Sequence, residues 1–294
     1  MPQNTLLHLI TVSYAPDAER CFRLCESIDR HNDPSSIHHL IVCPARDESL
    51  FSTLAAEHRT ITTYQKLLPS GYKQLPWLKR WWLDPGFFPV RGWMMQQIVK
   101  MAAAAQSDCE VVVFVDSDIV CCKPFNATTF YPDQKVRLLA KTLTAEDKDH
   151  TLWQRLSERL LWITPQQKFP NYVGQLMSWS PEVTRAMLAR LEKNADKPWY
   201  KTLGRLLTVS EYTLYGNFAE HIYSGDIQHQ REAHTISLDF WLAEDLERLK
   251  NHSLTVNPNM VAVLVQSNLG LSLEQENVVL KHAFQALQNY HQID

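Results

Sequence analysis

Apolar positions along this chain fall into short, nearly unbroken runs separated by helix-like stretches, and the alternation is most regular up to about residue 125. Leu6 to Ser13 reads as a first strand, followed by Pro16-Asp17 and a helical segment to about Arg30, with Asp17 near the helix start. Ile37 to Cys43 is a second strand, Leu50 to Glu57 a helix, and Thr60 to Tyr64 a third, β-branched strand. Trp93 to Ala105 predicts a helix whose Ala102–Ala105 run carries strong propensity. Such alternation predicts βαβ units and a parallel sheet.

The later part of the chain is less regular. Val136 to Ala140, Tyr172 to Trp179, Thr235 to Leu238 and Met260 to Gln266 read as strands. Leu152 to Ile163, Pro181 to Lys193, Trp199 to Leu207 and Leu273 to Asn289 read as helices. No internal repeat or low-complexity linker interrupts them. The expected fold class is therefore α/β, with a Rossmann-like mixed central sheet flanked by helices and helical additions in the C-terminal half.

One run stands apart. Val111-Val112-Val113-Phe114-Val115 is apolar throughout, as a strand covered on both faces must be, and ends in Asp116-Ser117-Asp118. Two carboxylates at that point are hard to explain by packing, because desolvating an unpaired charge is costly. At the carboxyl end of a strand in an open α/β sheet they sit where ligands bind. Oxygen donors of this kind suit Mg²⁺ or Mn²⁺. The plain alternative is a solvated strand end or a helix-capping pair.

Composition narrows the classes. The chain has 294 residues, 45% of them hydrophobic and 10% aromatic, enough for a sizeable core. A formal net charge of -3 gives no sign of nucleic-acid binding. No apolar stretch approaches bilayer-spanning length, and Met1-Pro2-Gln3-Asn4 lacks the basic start of a secretory signal. The six cysteines show no zinc-like pairing of pairs, and Cys21 and Cys25, one helical turn apart, read as small buried hydrophobes. A reduced, cytoplasmic setting is the expectation. With only 8 glycines there is no G-x-G-x-x-G or P-loop cradle, which removes the usual dinucleotide and NTPase readings.

Asp116-Ser117-Asp118 after a buried strand resembles the D-x-D motif of GT-A fold nucleotide-sugar glycosyltransferases. The order of other features matches too: the start Leu9-Ile10-Thr11-Val12-Ser13-Tyr14, the glycine-bearing Asn171-Tyr172-Val173-Gly174-Gln175-Leu176, the acid in Val209-Ser210-Glu211-Tyr212, and the histidine in Glu232-Ala233-His234. Arg91 to Lys100 and Ser210 to Gly216 resemble hallmarks of a bacterial group of such proteins, and the likeness covers residues 5 to 270. It implies a single GT-A-like domain over 1–294, with a nucleotide-binding half (1–125) and an acceptor-binding half (126–294).

The same resemblance implies residue roles. Asp118 would ligate Mn²⁺ or Mg²⁺ directly, Asp116 would hold the donor ribose or reach the metal through water, and His234 would be a third ligand, with His221 and His229 as rivals. Thr11, Ser13 and Asp17 would seat the nucleotide base. Glu211 would be the general base of an inverting reaction, although an acid there also suits a helix start capped by Ser210. The partners implied are a nucleotide-sugar donor and a glycan or lipid-linked acceptor, in bacterial surface-glycan assembly at the cytoplasmic side.

Three further readings come from the residues themselves. Trp93, Gln97 and Lys100 share one helical face, where Lys100 could meet phosphate charge and Gln97 read a base or sugar edge; an ordinary solvated face is the alternative. Gly174 inside a strand could let the backbone approach the donor sugar or acceptor, with a simple bulge as the alternative. Leu75 to Leu83, with Trp77, Lys79, Arg80, Trp81 and Trp82, and Lys197 to Arg205 are dense in bases and aromatics, suiting an acceptor loop, a peripheral membrane contact or plain core packing. Two rival functions stay open: a HAD-type phosphatase, since Asp116 to Val120 also fits D-x-D-x-[TV], and a non-catalytic glycan- or membrane-binding protein on a transferase fold.

Overall fold

The computed structural model describes residues 6–74, 81–143 and 148–290. Strand β1 (Leu7–Val12), helix α1 (Ala18–His31), β2 (Ile37–Cys43), the short α2 (Glu48–Phe51), β3 (Arg59–Thr63) and the one-turn α3 (Tyr64–Leu67) come first. A meander follows: β4 (Lys73–Gln74), β5 (Trp81–Leu83) and β6 (Pro89–Arg91), then α4 (Gly92–Gln106), β7 (Val112–Phe114) and β8 (Ile119–Cys121). Next are α5 (Ala127–Phe130), β9 (Val136–Leu139), α6 (Lys148–Leu161), β10 (Met177–Trp179), α7 (Pro181–Ala195), α8 (Trp199–Gly204) and α9 (Glu211–His221). The chain closes with β11 (His229–Glu232), β12 (Ser237–Phe240), α10 (Ala243–Lys250), β13 (Ala262–Val265) and α11 (Leu273–Tyr290).

The central sheet has the order β10-β7-β1-β2-β3. β1 pairs in parallel with β2 and β7, β2 with β3, and β10 adds antiparallel to β7. This is the expected mixed α/β sheet flanked by helices. Both faces of its centre are covered, which is why β7 is apolar throughout and β1 is nearly so, whereas β3 at the edge carries Arg59 and three threonines. Leu7, Leu9 and Val113 pack with Leu24 and Ile28 of α1, while Ile10, Val12, Val112 and Phe114 pack with α4 on the other side. A smaller sheet, β12-β13-β8, extends from the same acid-bearing loop, since β8 begins just after Asp118 and pairs antiparallel with β13. The later part of the chain thus supplies strands beside both ends of the Asp116–Asp118 turn.

Several elements differ from the sequence pattern. The expected strand Tyr172–Trp179 is confined to Met177–Trp179, because Leu176 takes a left-handed φ of 54° that breaks the extended run before it. The helix expected over Leu50–Glu57 is one α turn followed by a 3₁₀ turn, and the Ser52 and Thr53 hydroxyls bond back to the carbonyls of Ser49 and Leu50. β11, with the sequence His-Gln-Arg-Glu, has no apolar alternation and exists through its parallel pairing with β9. No helix among the described residues is long and apolar enough to cross a membrane.

Candidate functional site

The acids after β7 open into a cleft of about 630 Å³ at the carboxyl ends of β1 and β7. Val12, Tyr14 and Asp17 line it from the first strand's exit, Asp116, Ser117 and Asp118 from the second. Helix α4 contributes Trp93, Gln96, Gln97 and Lys100, the segment before β10 contributes Val173, Gly174 and Gln175, and the start of α9 contributes Ser210, Glu211 and Tyr212. The site therefore forms where a βαβ sheet ends, the usual place for a ligand in such a fold.

Lys100 organises one end. Its ammonium lies 2.9 Å from Asp116 Oδ1 and 3.2 Å from Glu211 Oε1, and it donates to the Tyr212 hydroxyl at 3.0 Å. It also sits over the Tyr212 ring, 5.0 Å from the centroid. Burial alone would lower the pKa of Lys100, but the charge of Asp116, with Tyr212 and Glu211, raises it well above the ordinary value. Rather than facing phosphate as an open cation, Lys100 is buried and already paired, because the Ala- and Met-rich α4 is covered on nearly all sides. Gln97 is likewise committed, accepting from the Glu211 amide at 3.2 Å.

Glu211 starts α9, where Ser210 caps the helix by accepting from the Thr213 amide at 3.2 Å, as the sequence predicts. Its side chain is 2–3% exposed, and burial pushes its pKa up while Lys100 pulls against that shift. Asp116 and Glu211 meet on one ammonium, so the two carboxylates are joined through Lys100 rather than separated by open space. Gln175 completes this end by donating to Asp116 Oδ2 at 3.1 Å.

Asp118 defines the other end. Its Oδ2 accepts from the Ser267 amide at 3.1 Å, in the turn after β13. Burial, reinforced by the Asp116 charge, pushes its pKa up to about 7. Asp17 is also raised, chiefly by burial and against the pull of Arg20, which lies 3.2 Å away. Arg20 is itself shared: with Arg23 it clamps the buried Glu276 of α11 at 2.7 and 2.6 Å. Asp118 has no basic side chain in ion-pair contact among the described residues. Arg46 and Arg91 line the cleft as the remaining bases.

The other expected residues divide clearly. Thr11 and Ser13 are fully buried rather than in the cleft; Thr11 donates to the Val115 carbonyl at 2.8 Å. Strand alternation explains this, since Val12 and Tyr14 take the opposite face and line the cleft instead. Trp93 does line it, stacked on Trp153 with centroids 6.0 Å apart. Gly174 lines it as well, but its lack of a side chain serves packing: a Cβ there would stand 2.4 Å from Leu139 Cδ2. His234 is not brought to the acids. It is exposed at a second cavity, beside Arg137, because β11 leads away to pair with β9.

In the basic-aromatic segment, Trp77, Lys79 and Arg80 lie outside the described residues. Trp81 is half-buried, whereas Trp82 is buried and stacks on Tyr64 at 5.4 Å, so core packing governs it rather than exposure. The cleft also uses residues the sequence reading passed over: Gln175, Tyr212, Trp153, Trp241 and the run Gln266-Ser267-Asn268. That run carried a usable signal, since it follows the apolar Val261–Val265 as Asp116 follows Val115.

Oxygen donors only, two of them carboxylates with one raised by crowding and burial, fit a hard divalent cation better than a soft one. Among the described residues no three acidic, histidine or cysteine side chains are grouped to hold such an ion alone. A magnesium-type ion commonly takes one or two carboxylates and completes its shell with ligand phosphates and water. The donor set fits that mode and not an all-protein cage.

The chain belongs to DUF6492, a family of unknown function whose model matches residues 5–291. No curated protein matches the chain.

Proposed function

We propose that this member of DUF6492 is a metal-dependent glycosyltransferase that moves a sugar from a nucleotide diphosphate-sugar to a hydroxyl acceptor. The observation that carries the reading is Asp118: a buried carboxylate crowded by Asp116 and with no basic side chain in ion-pair contact among the described residues, at the mouth of the central sheet. Such a group is costly in the free protein and gains from a divalent ion. The order of acids and glycine along the chain, similar to that of GT-A glycosyltransferases, supports the same reading.

In this reading Asp118 would hold Mn²⁺ or Mg²⁺ directly and Asp116, engaged by Lys100 and Gln175, would reach it through water; when bound, the ion supplies charge stabilisation to a departing nucleoside diphosphate. Arg46 and Arg91 offer further positive charge to phosphate oxygens at the cleft. Tyr14, Trp93 and Trp241 supply flat faces for a base or sugar ring. Lys100 fixes Asp116 in place through its ion pair. Glu211, buried against that ammonium, acts best as a positioning acid, so the inverting outcome inferred for it loses its direct support.

The phosphatase alternative has less to stand on. A nucleophilic Asp116 needs a free oxygen, yet both of its carboxylate oxygens are engaged, by Lys100 and Gln175. A thermal-shift screen of nucleoside diphosphates tests the proposal, because a ligand bound by the native state raises apparent stability. At least one diphosphate should raise the melting temperature with Mn²⁺ and do so much less with EDTA. Equal shifts under both conditions, or none, would contradict it.

A further inference from the structure

The cavity that holds His234 is separate from the acid cleft and measures about 520 Å³. Its lining includes Arg137, Gln230, Glu232, His234, Asn257 and Asn259. Arg137 is only 5% exposed, yet its guanidinium has a single protein acceptor among the described residues, the His234 carbonyl. No carboxylate there comes within ion-pair distance of it. The nearest candidate, Glu232, is held by Gln230, whose amide donates to Glu232 Oε1 at 2.8 Å.

An arginine cannot shed its proton to escape burial, so its charge must be met by an acceptor or by solvent. Burial here disfavours the charged form, which Glu232 offsets only from a distance. Among the described residues the remaining N–H groups of the guanidinium fork have no protein acceptor, and Arg137 lines an open cavity. The flanking groups are mostly neutral: Asn257 uses its Oδ1 to accept from the Asn259 amide at 2.9 Å, which leaves its amino group available, and Asn259 is exposed.

We propose that this cavity binds a small ligand bearing a single carboxylate. The Arg137 fork takes the carboxylate, and Asn257, Asn259 and His234 meet hydroxyl groups on the ligand's body. One cation with an acid on the same wall favours a monoanion over doubly charged phosphate, and the planar fork matches a carboxylate. The volume suits a ligand of a single ring, within the range of ordinary small-molecule pockets. This inference is independent of the glycosyltransferase reading and uses none of the acid cleft.

Calorimetric titration of the full chain with D-glucuronate, D-glucose and inorganic phosphate tests it. Glucuronate should bind, uncharged glucose should give no heat at the same concentration, and phosphate should bind more weakly than glucuronate. Arg137→Lys keeps the charge but removes the fork, and should weaken glucuronate binding about tenfold or more. Because Arg137 also bonds the His234 carbonyl, the exposed Asn259→Asp serves as the second variant; its added negative charge should weaken glucuronate about tenfold with an unchanged melting temperature. No binding of glucuronate, equal binding of glucose, stronger binding of phosphate, or full affinity in Asn259→Asp would each overturn the proposal.

Discussion

Asp116 and Glu211 share the Lys100 ammonium at 2.9 and 3.2 Å, whereas Asp118, two residues beyond Asp116, meets a backbone amide at 3.1 Å and, among the described residues, no basic side chain in ion-pair contact. Glu211 at one end and Asp118 at the other are both buried acids, so burial alone does not separate them. The difference is compensation. At the Lys100 end one ammonium balances the two carboxylates in part, leaving one negative charge in excess, and ties both into the fold. At the Asp118 end burial, with the Asp116 charge added to it, pushes the pKa of the carboxyl up to about 7, and an external cation is the natural complement. Sequence spacing places the two aspartates together, yet their roles divide by what folds against each.

The largest effect should come from breaking the Lys100 end. Lys100→Met leaves Asp116 and Glu211 without their cation and should cost about 3–5 kcal/mol of stability, read from urea unfolding. A loss well under ~1 kcal/mol would mean the cluster is solvated like a surface pair.

The Asp118 end should respond in the opposite sense. The folded-state pKa of Asp118 lies above its ordinary value of 3.8, so the native state holds a proton that the unfolded chain has released, and stability falls as pH rises from about 4 to about 7. Asp118→Asn removes that penalty while keeping an oxygen for the Ser267 amide. Its gain in unfolding free energy should be larger at pH 8 than at pH 5 by about 2 kcal/mol. A gain independent of pH would show that Asp118 does not titrate in this window.

A smaller effect should sharpen the division. Glu211→Gln leaves Lys100 to Asp116 alone and makes the cleft more positive by one charge. Mn²⁺ affinity should fall about three- to tenfold, and metal-free binding of a nucleoside diphosphate should strengthen, both read by calorimetry. Unchanged binding with turnover slowed by about a hundredfold would instead return Glu211 to the role of general base.

The sheet was legible because its strands must be apolar on both faces: Leu7–Val12, Ile37–Cys43 and Val112–Phe114 lie within the expected runs. Asp116 and Asp118 were legible for the converse reason, as charges where packing offers no motive. Lys100 stands out on its helical face and does line the cleft, but its pairing was not legible, since a lysine on a helix reads as solvated until α9 is known to cover it with Glu211 and Tyr212. His234 was misplaced because its location depends on β11, a polar strand defined only by its pairing with β9. Thr11 and Ser13 missed the cleft through strand alternation, with their neighbours Val12 and Tyr14 lining it. At Gly174 the group in close approach is the Leu139 side chain, a packing contact between segments far apart in sequence that the local pattern does not reveal.

The most direct test of the account is calorimetric titration of a nucleoside diphosphate with Mn²⁺ into the unaltered protein and Asp118→Asn at pH 6 and pH 8. Metal-dependent affinity in the unaltered protein should rise about tenfold between those values, as the Asp118 proton ceases to compete. The variant should lose that metal dependence at both values while remaining folded. Metal-dependent binding that persists in folded Asp118→Asn with the same pH profile would contradict the central claim.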